Sequence, residues 1–132
     1  MTAERYRNGK RVIDRWNLVF EALAAEPRRQ LIGSLVDAPG GGSVPLPEAA
    51  ASPTVPPEPD SLRIQLRHRH LPMLEDAGFV RWNEEAFKAS RGSRFEEVAV
   101  VLETLHHRAD SVPDQLVRGC RRLEDERHGR GG

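Results

Sequence analysis

The stretch RHRHLPMLEDAGFVRW, residues 67–82, decides the fold. It holds two histidines and three arginines around a leucine repeat, then a glycine, then an alternating run. Read with its upstream neighbours, Leu62, Leu66, Met73 and Ala77 form one apolar row, which Leu71 and Leu74 broaden. That spacing is helical. The row predicts a helix over 61–77, capped by Asp60 and ended by Gly78 in a left-handed conformation. Pro72 sits inside it. A proline there removes one hydrogen bond and clashes with an earlier carbonyl. A kink near Arg69–Pro72, or two helical pieces, is expected. FVRW alternates as a half-buried strand does, NEEA is a turn, and FKAS returns as a second strand.

The same geometry weighs against a histidine metal site. At about 100° per residue, His68 and His70 project about 200° apart and cannot grip one ion. His106 and His107 are adjacent, which is also poor chelating geometry. His70 lies near the apolar row and reads as a partly buried histidine with a hydrogen-bond partner. The side opposite the row carries Gln65, His68, Arg69 and Pro72 at i, i+3, i+4 and i+7. Arg and Gln can each make bidentate contacts to base edges. Arg63 and Arg67 flank the helix at phosphate reach. Lys88, Arg91 and Arg94 fall in or just after the hairpin, where phosphate contact is expected.

Outward from this centre, Trp16, Val19, Phe20 and Leu23 predict a helix from about residue 15, with Asp14 as its N-cap. Pro27 opens a second helix to about Asp37, with Leu31, Ile32, Leu35 and Val36 buried. Residues 38–60 hold seven of the ten prolines and read as loop, with one helical turn possible at 46–52. Ser93-Arg94-Phe95-Glu96 is a capping-box pattern opening a helix over 95–109, with Phe95, Val98, Val101, Leu102 and Leu105 on its apolar stripe. A final helix over 113–127 aligns Leu116, Val117, Cys120 and Leu123. The end of the chain reads as a frayed tail.

Composition bounds the function. One domain is the default for 132 residues. The formal net charge is +0, but residues 61–94 carry seven basic and four acidic residues. A neutral chain can still present one basic face. One cysteine, Cys120, excludes an internal disulfide and any multi-cysteine zinc module. It reads as a packing residue on its helical stripe. Arginine outnumbers lysine 18 to 2. No apolar run approaches the roughly 20 residues that span a bilayer, and no signal-peptide core is present. A cytoplasmic protein without a membrane partner is expected. There is no G-x-S-x-G, no phosphate-binding glycine loop and no H-E-x-x-H. GGGS at 40–43 leads into proline-rich chain and reads as linker. No enzyme activity, no metal and no cofactor are expected.

Two helices, a turn, a helix and a hairpin, in that order, predict a mainly α winged helix-turn-helix with additional C-terminal helices. The predicted layout is a basic N-terminal arm at 1–14, a winged domain at 15–95, C-terminal helices at 96–127 and a tail at 128–132. The expected function is transcriptional regulation through double-stranded DNA. The helix near 61–77 would read bases and a wing near 79–94 would hold phosphates. The alternative is a winged-helix module for protein interaction or dimerisation. The C-terminal stripes, and the first helix beside them, suggest a homodimer.

LRHRHLPMLEDAGFVRWN, residues 66–83, resembles the signature of a haloarchaeal winged-helix domain family of uncharacterised function. The matching positions are Leu66, His68, His70, Leu71, Pro72, Leu74, Asp76, Ala77, Gly78, Trp82 and Asn83. VFEALAAEPRRQLIGSLVD, residues 19–37, is similar to the family's first two helices, including Arg28 and Arg29. The resemblance spans roughly residues 15–95. It implies a winged helix and a transcription regulator, and it makes Pro72 a family feature. It carries no known functional residues. The chain departs from the family where SVPLPEAAASPTVPPEP replaces a longer, more acidic helix. It is also neutral where the family is commonly acidic.

Overall fold

A computed structural model describes residues 2–131. Helix α1 runs from Thr2 to Leu23 and α2 from Glu26 to Asp37. Strand β1, Val44–Pro45, and a 3₁₀ turn at Glu48–Ala50 follow. Helix α3 (Pro59–Gln65), a π turn (Leu66–His70) and helix α4 (Leu71–Asp76) form one continuous helical element. Strands β2 (Val80–Asn83) and β3 (Lys88–Arg91) make the hairpin. Helices α5 (Phe95–His107), α6 (Asp114–Val117) and α7 (Arg121–Gly131) close the chain. The protein is mainly helical, with a three-stranded antiparallel sheet in the order β1-β3-β2.

The core lies between α1, α2, the α3–α4 element, the hairpin and α5. Val19, Leu31, Ile32, Leu35, Leu66, Leu71, Leu74, Phe79 and Val98 are almost fully removed from water there. Burying one such side chain contributes about 1.5–3 kcal/mol. Pairing of Val80 with Arg91 and of Trp82 with Ala89 sets the hairpin register. Val80 and Ala89 then point inward, while Arg81 and Lys88 point out.

Pro72 explains the π turn. It has no N–H to return to residue 68, and its ring crowds that carbonyl. The preceding turn widens instead. Leu71 N–H reaches back five residues to the Leu66 carbonyl. The expected kink is thus a widened turn within an unbroken element. The cap of α3 is Glu58, not Asp60. Both Glu58 carboxylate oxygens accept backbone N–H groups, from Asp60 (3.1 Å) and Ser61 (2.8 Å). Those bonds, Ser61's first, hold its carboxyl below the usual range. Gly78 takes the expected positive φ, +81°.

Five further expectations are corrected. Residues 2–14 are not a separate arm but the first half of α1, so Asp14 lies mid-helix and caps nothing. The 38–60 segment is not all loop. It supplies β1, which pairs with β3 through Val44 opposite Ala89, and its predicted helical turn is the 3₁₀ turn at Glu48–Ala50. The capping box at Ser93 does not form. Arg94 is the N-cap and makes no side-chain cap bond, because a guanidinium has no acceptor to offer the first N–H groups; its own backbone N–H goes to the Gly78 carbonyl at 2.8 Å. The 113–127 helix is split at Gly119 (φ +90°) into α6 and α7. Val117 is buried and Leu116 is exposed. The predicted tail is helical through Gly131, and Gly132 lies outside the described residues. No helix is long and apolar enough to cross a membrane among the described residues.

Candidate nucleic-acid interface

The α3–α4 element has one side in the core and one in solvent. Leu62, Leu66, His70, Leu71 and Leu74 are buried. Arg63, Ile64, Gln65, His68 and Arg69 are exposed. Pro72, fourth member of the expected face, is half-buried. The π turn adds a residue to its turn and rotates the residues after it out of the 3.6-residue period.

A buried pair fixes this element. Arg28 donates from Nη1 to His70 Nδ1 at 2.8 Å. It also donates to the carbonyls of Ala22 (3.2 Å) and Glu21 (2.7 Å) at the end of α1. Both side chains are about 95% or more buried. With Arg28 donating, Nδ1 is the acceptor and the ring proton sits on Nε2. Burial, then the Arg28 and Arg69 charges, push the His70 pKa down to about 4, so the ring is neutral. Burial foremost, then Arg69, also lowers Arg28 from its ordinary value. The expected hydrogen-bond partner is there, from 42 residues away, but the ring is almost fully and not partly buried. The contact locks the ends of α1 and α2 to the turn that presents His68 and Arg69.

The flanking arginines differ in what they already hold. Arg63 bonds Asp60 at 3.1 Å, one turn earlier and in solvent. Such pairs are worth about 0–1 kcal/mol and yield readily to a phosphate. Arg67 lies over the Phe87 ring at 4.4 Å and reaches Glu84 at 3.5 Å. It ties the helix to the hairpin. Phe87, at φ +49°, turns its ring inward beneath that guanidinium and edge-on to Trp82.

The hairpin supplies Lys88 and Arg81 on its outer face. Arg81 sits opposite Ser90, and Lys88 opposite Asn83. Sequence reading missed Arg81, although alternation with the inward Val80 and Trp82 gives it away. It also missed Ile64, which is 61% exposed. An isoleucine outside the leucine row was the available signal.

Arg91 and Arg94 do not join this face. Arg91 shares the inward parity of Ala89. Its guanidinium donates to Leu35 O (2.8 and 3.1 Å) and Val36 O (3.2 Å), and it packs over Phe95. It adds side-chain donors to the last carbonyls of α2, where the Ala38 N–H already reaches Leu35 O at 3.4 Å. Arg94 lays its side-chain stem along Gly78 and reaches Glu97 at 3.7 Å. It borders a groove with Arg11, Arg15 and Trp16, between α1 and α5.

This use of arginine is general. Arg15 closes α4 through Ala77 O at 2.7 Å while pairing with Glu97 at 2.7 Å. Arg29 donates to Leu23 O, and Arg127 to Ala109 O and Val112 O. Five arginines thus hold helix ends together, while most of the other described arginines face solvent. Among the described residues, no group of three or more potential metal-binding side chains converges. No protein-family model, no curated protein and no solved structure matches this chain.

Proposed function

We propose that this chain is a winged helix-turn-helix module that binds double-stranded DNA in a sequence-dependent way and regulates transcription. The observation that carries the reading is the solvent face of the α3–α4 element. Gln65, His68 and Arg69 stand exposed on a helix whose opposite side is buried. That is the layout a helix needs to enter a major groove. The order of helix, short strand, helical turn, helix and hairpin supports a winged helix, as does the H-L-P to D-A-G resemblance. The first helix of the helix-turn-helix is reduced to the single turn at Glu48–Ala50.

In this reading Gln65 and Arg69 contact adenine and guanine edges, and Ile64 meets a thymine methyl. His68 adds a donor beside them. Arg63, Arg67, Arg81 and Lys88 hold phosphates. Arg91 is left out of the contact set because its guanidinium is bonded to the Leu35 and Val36 carbonyls, and Arg94 because it borders the separate groove between α1 and α5. Glu75 and Asp76, both exposed, lie at the far end of the element, where phosphate repulsion is least.

A second reading, a protein-interaction module, draws on the hairpin tip. Glu84 and Glu85 are exposed there, and Glu84 engages Arg67. Acidic residues on a wing oppose a phosphate backbone. Titration of labelled genomic DNA fragments with the purified protein at two salt concentrations separates the readings. A phosphate-dominated complex weakens steeply as salt rises. No binding at low salt would give the second reading precedence.

A further inference from the structure

Helix α1 carries two apolar faces. One, with Val19 and Ala22, is buried in the core. The other remains in water. Tyr6, Ile13, Trp16 and Phe20 are 73%, 60%, 48% and 61% exposed. With Gly9 they occupy positions 6, 9, 13, 16 and 20. The steps alternate between three and four residues, which is the spacing of a coiled-coil seam. At about 100° per residue these positions fall within an arc of about 80°. The Trp16 and Phe20 rings are already stacked, 5.7 Å apart. From residue 2 to residue 14 every residue except the half-buried Gly9 is exposed. A helical stretch of this length without cover is marginal in water.

Charge selects the occupant. The first half of the helix holds Arg5, Arg7, Lys10 and Arg11 against Glu4 alone. The second half holds Asp14 and Glu21 against Arg15, and at the start of α2 Glu26 is already paired with Arg29. Arg15 is committed to Glu97 and the Ala77 carbonyl. A second copy lying parallel would set one basic half against the other. A second copy lying antiparallel sets each basic half beside an acidic one and opposes the two helix dipoles.

We propose that α1 pairs antiparallel with α1 of a second copy of this chain, along the seam of Tyr6, Gly9, Ile13, Trp16 and Phe20. In the register that matches the two seams, Ile13 packs against the partner's Trp16. Phe20 lies over the partner's Gly9, where a large ring meets a position without a side chain. A Cβ built at Gly9 meets nothing within 4 Å in the single chain, so that space is open to a partner. Arg7 approaches the partner's Glu21. This interface differs from the C-terminal one expected from the sequence, and it does not depend on the DNA-binding reading.

Sedimentation equilibrium of the full chain tests it, given the monomer mass of 14.8 kDa. The expected result is a dimer that Ile13→Glu plus Phe20→Glu weakens by at least about tenfold in Kd, with helix content retained. Gly9→Leu is the sharper variant. It raises helix propensity but fills the space for the partner's Phe20, so it too should weaken the dimer at least about tenfold. A cysteine replacing Ala3, in a Cys120→Ser background, should not form a disulfide between copies, because antiparallel pairing keeps the two Ala3 positions far apart. Four results would overturn the proposal: a monomer at ~100 µM, a dimer indifferent to these variants, ready crosslinking at Ala3, or a monomer that instead adsorbs to anionic lipid vesicles.

Discussion

Acidification should loosen the fold through His70. The ring is neutral and buried, and its pKa is about 4 where the ordinary value is 6.5. The unfolded chain therefore takes up this proton first. Stability is complete above about pH 6.5, falls as pH drops, and stops falling near pH 4, once the folded protein is protonated too. Each tenfold difference in proton affinity is worth about 1.4 kcal/mol, so the loss by pH 4.5 is about 2–3 kcal/mol. That is a large fraction of the total stability of a small domain, about 5–15 kcal/mol. Urea unfolding followed by far-ultraviolet circular dichroism at pH 7.5 and 4.5 measures it. His70→Gln supplies the control. The variant is weaker at pH 7.5, because Arg28 loses its partner in the core, but it should lose about 2–3 kcal/mol less on acidification. His106, also pushed to about 4 by burial foremost and the Arg122 charge, acts with the same sign but is present in both proteins and cancels. Equal acid sensitivity in the two proteins would refute the reasoning.

Arg91→Ala should destabilise the protein by about 1–3 kcal/mol in chemical unfolding, since it removes the guanidinium bonds to the Leu35 and Val36 carbonyls; loss of DNA affinity with unchanged stability would return Arg91 to the phosphate contacts. Gly92→Ala should disrupt the turn after β3, because its Cβ would meet Gly78 O at 2.4 Å and Val80 N at 2.8 Å; a wild-type melting temperature would contradict that. Gly33→Ala should be tolerated, or stabilise by up to about 1 kcal/mol, because its Cβ meets only the movable end of Arg122 at 2.9 Å. A large fall in melting temperature there would show that Arg122 cannot move away.

The elements read correctly from sequence are those whose periodicity is set by burial. Leu31, Ile32 and Leu35 mark α2, and Phe95, Val98 and Leu102 mark α5. Val80 alternates into β2, and Gly78 ends the helix before it. What escaped has other causes. The first half of α1 has no core-facing stripe, so a search for buried periodicity stops near residue 15, although its Arg, Lys and Glu are good helix formers. Strand β1 is two residues long and exists because β3 offers an edge to Val44. The break at Gly119 is marked by a glycine after an apolar helical pattern, but the stripe of Leu116, Val117, Cys120 and Leu123 runs across it at helical spacing and hides it. The arginine bonds were out of reach. Arg91 finds Leu35 across 56 residues and Arg28 finds His70 across 42. No local pattern distinguishes such an arginine from one that waits for a phosphate, and that is why the sequence groups Arg91 with the wing although its guanidinium turns inward to α2.

Selection of bound sequences from a random double-stranded DNA pool, run in parallel with the wild type, Gln65→Ala, Arg69→Ala and Lys88→Ala, tests the DNA-reading proposal most directly. The wild type should enrich one motif. Gln65→Ala and Arg69→Ala should each relax it at a distinct base, losing about 1–3 kcal/mol of discrimination there. Lys88→Ala should keep the motif, bind all sequences more weakly and flatten the salt dependence. Enrichment of no motif, or a motif that survives loss of both Gln65 and Arg69 and changes with Lys88, would contradict the assignment of base reading to the α3–α4 face.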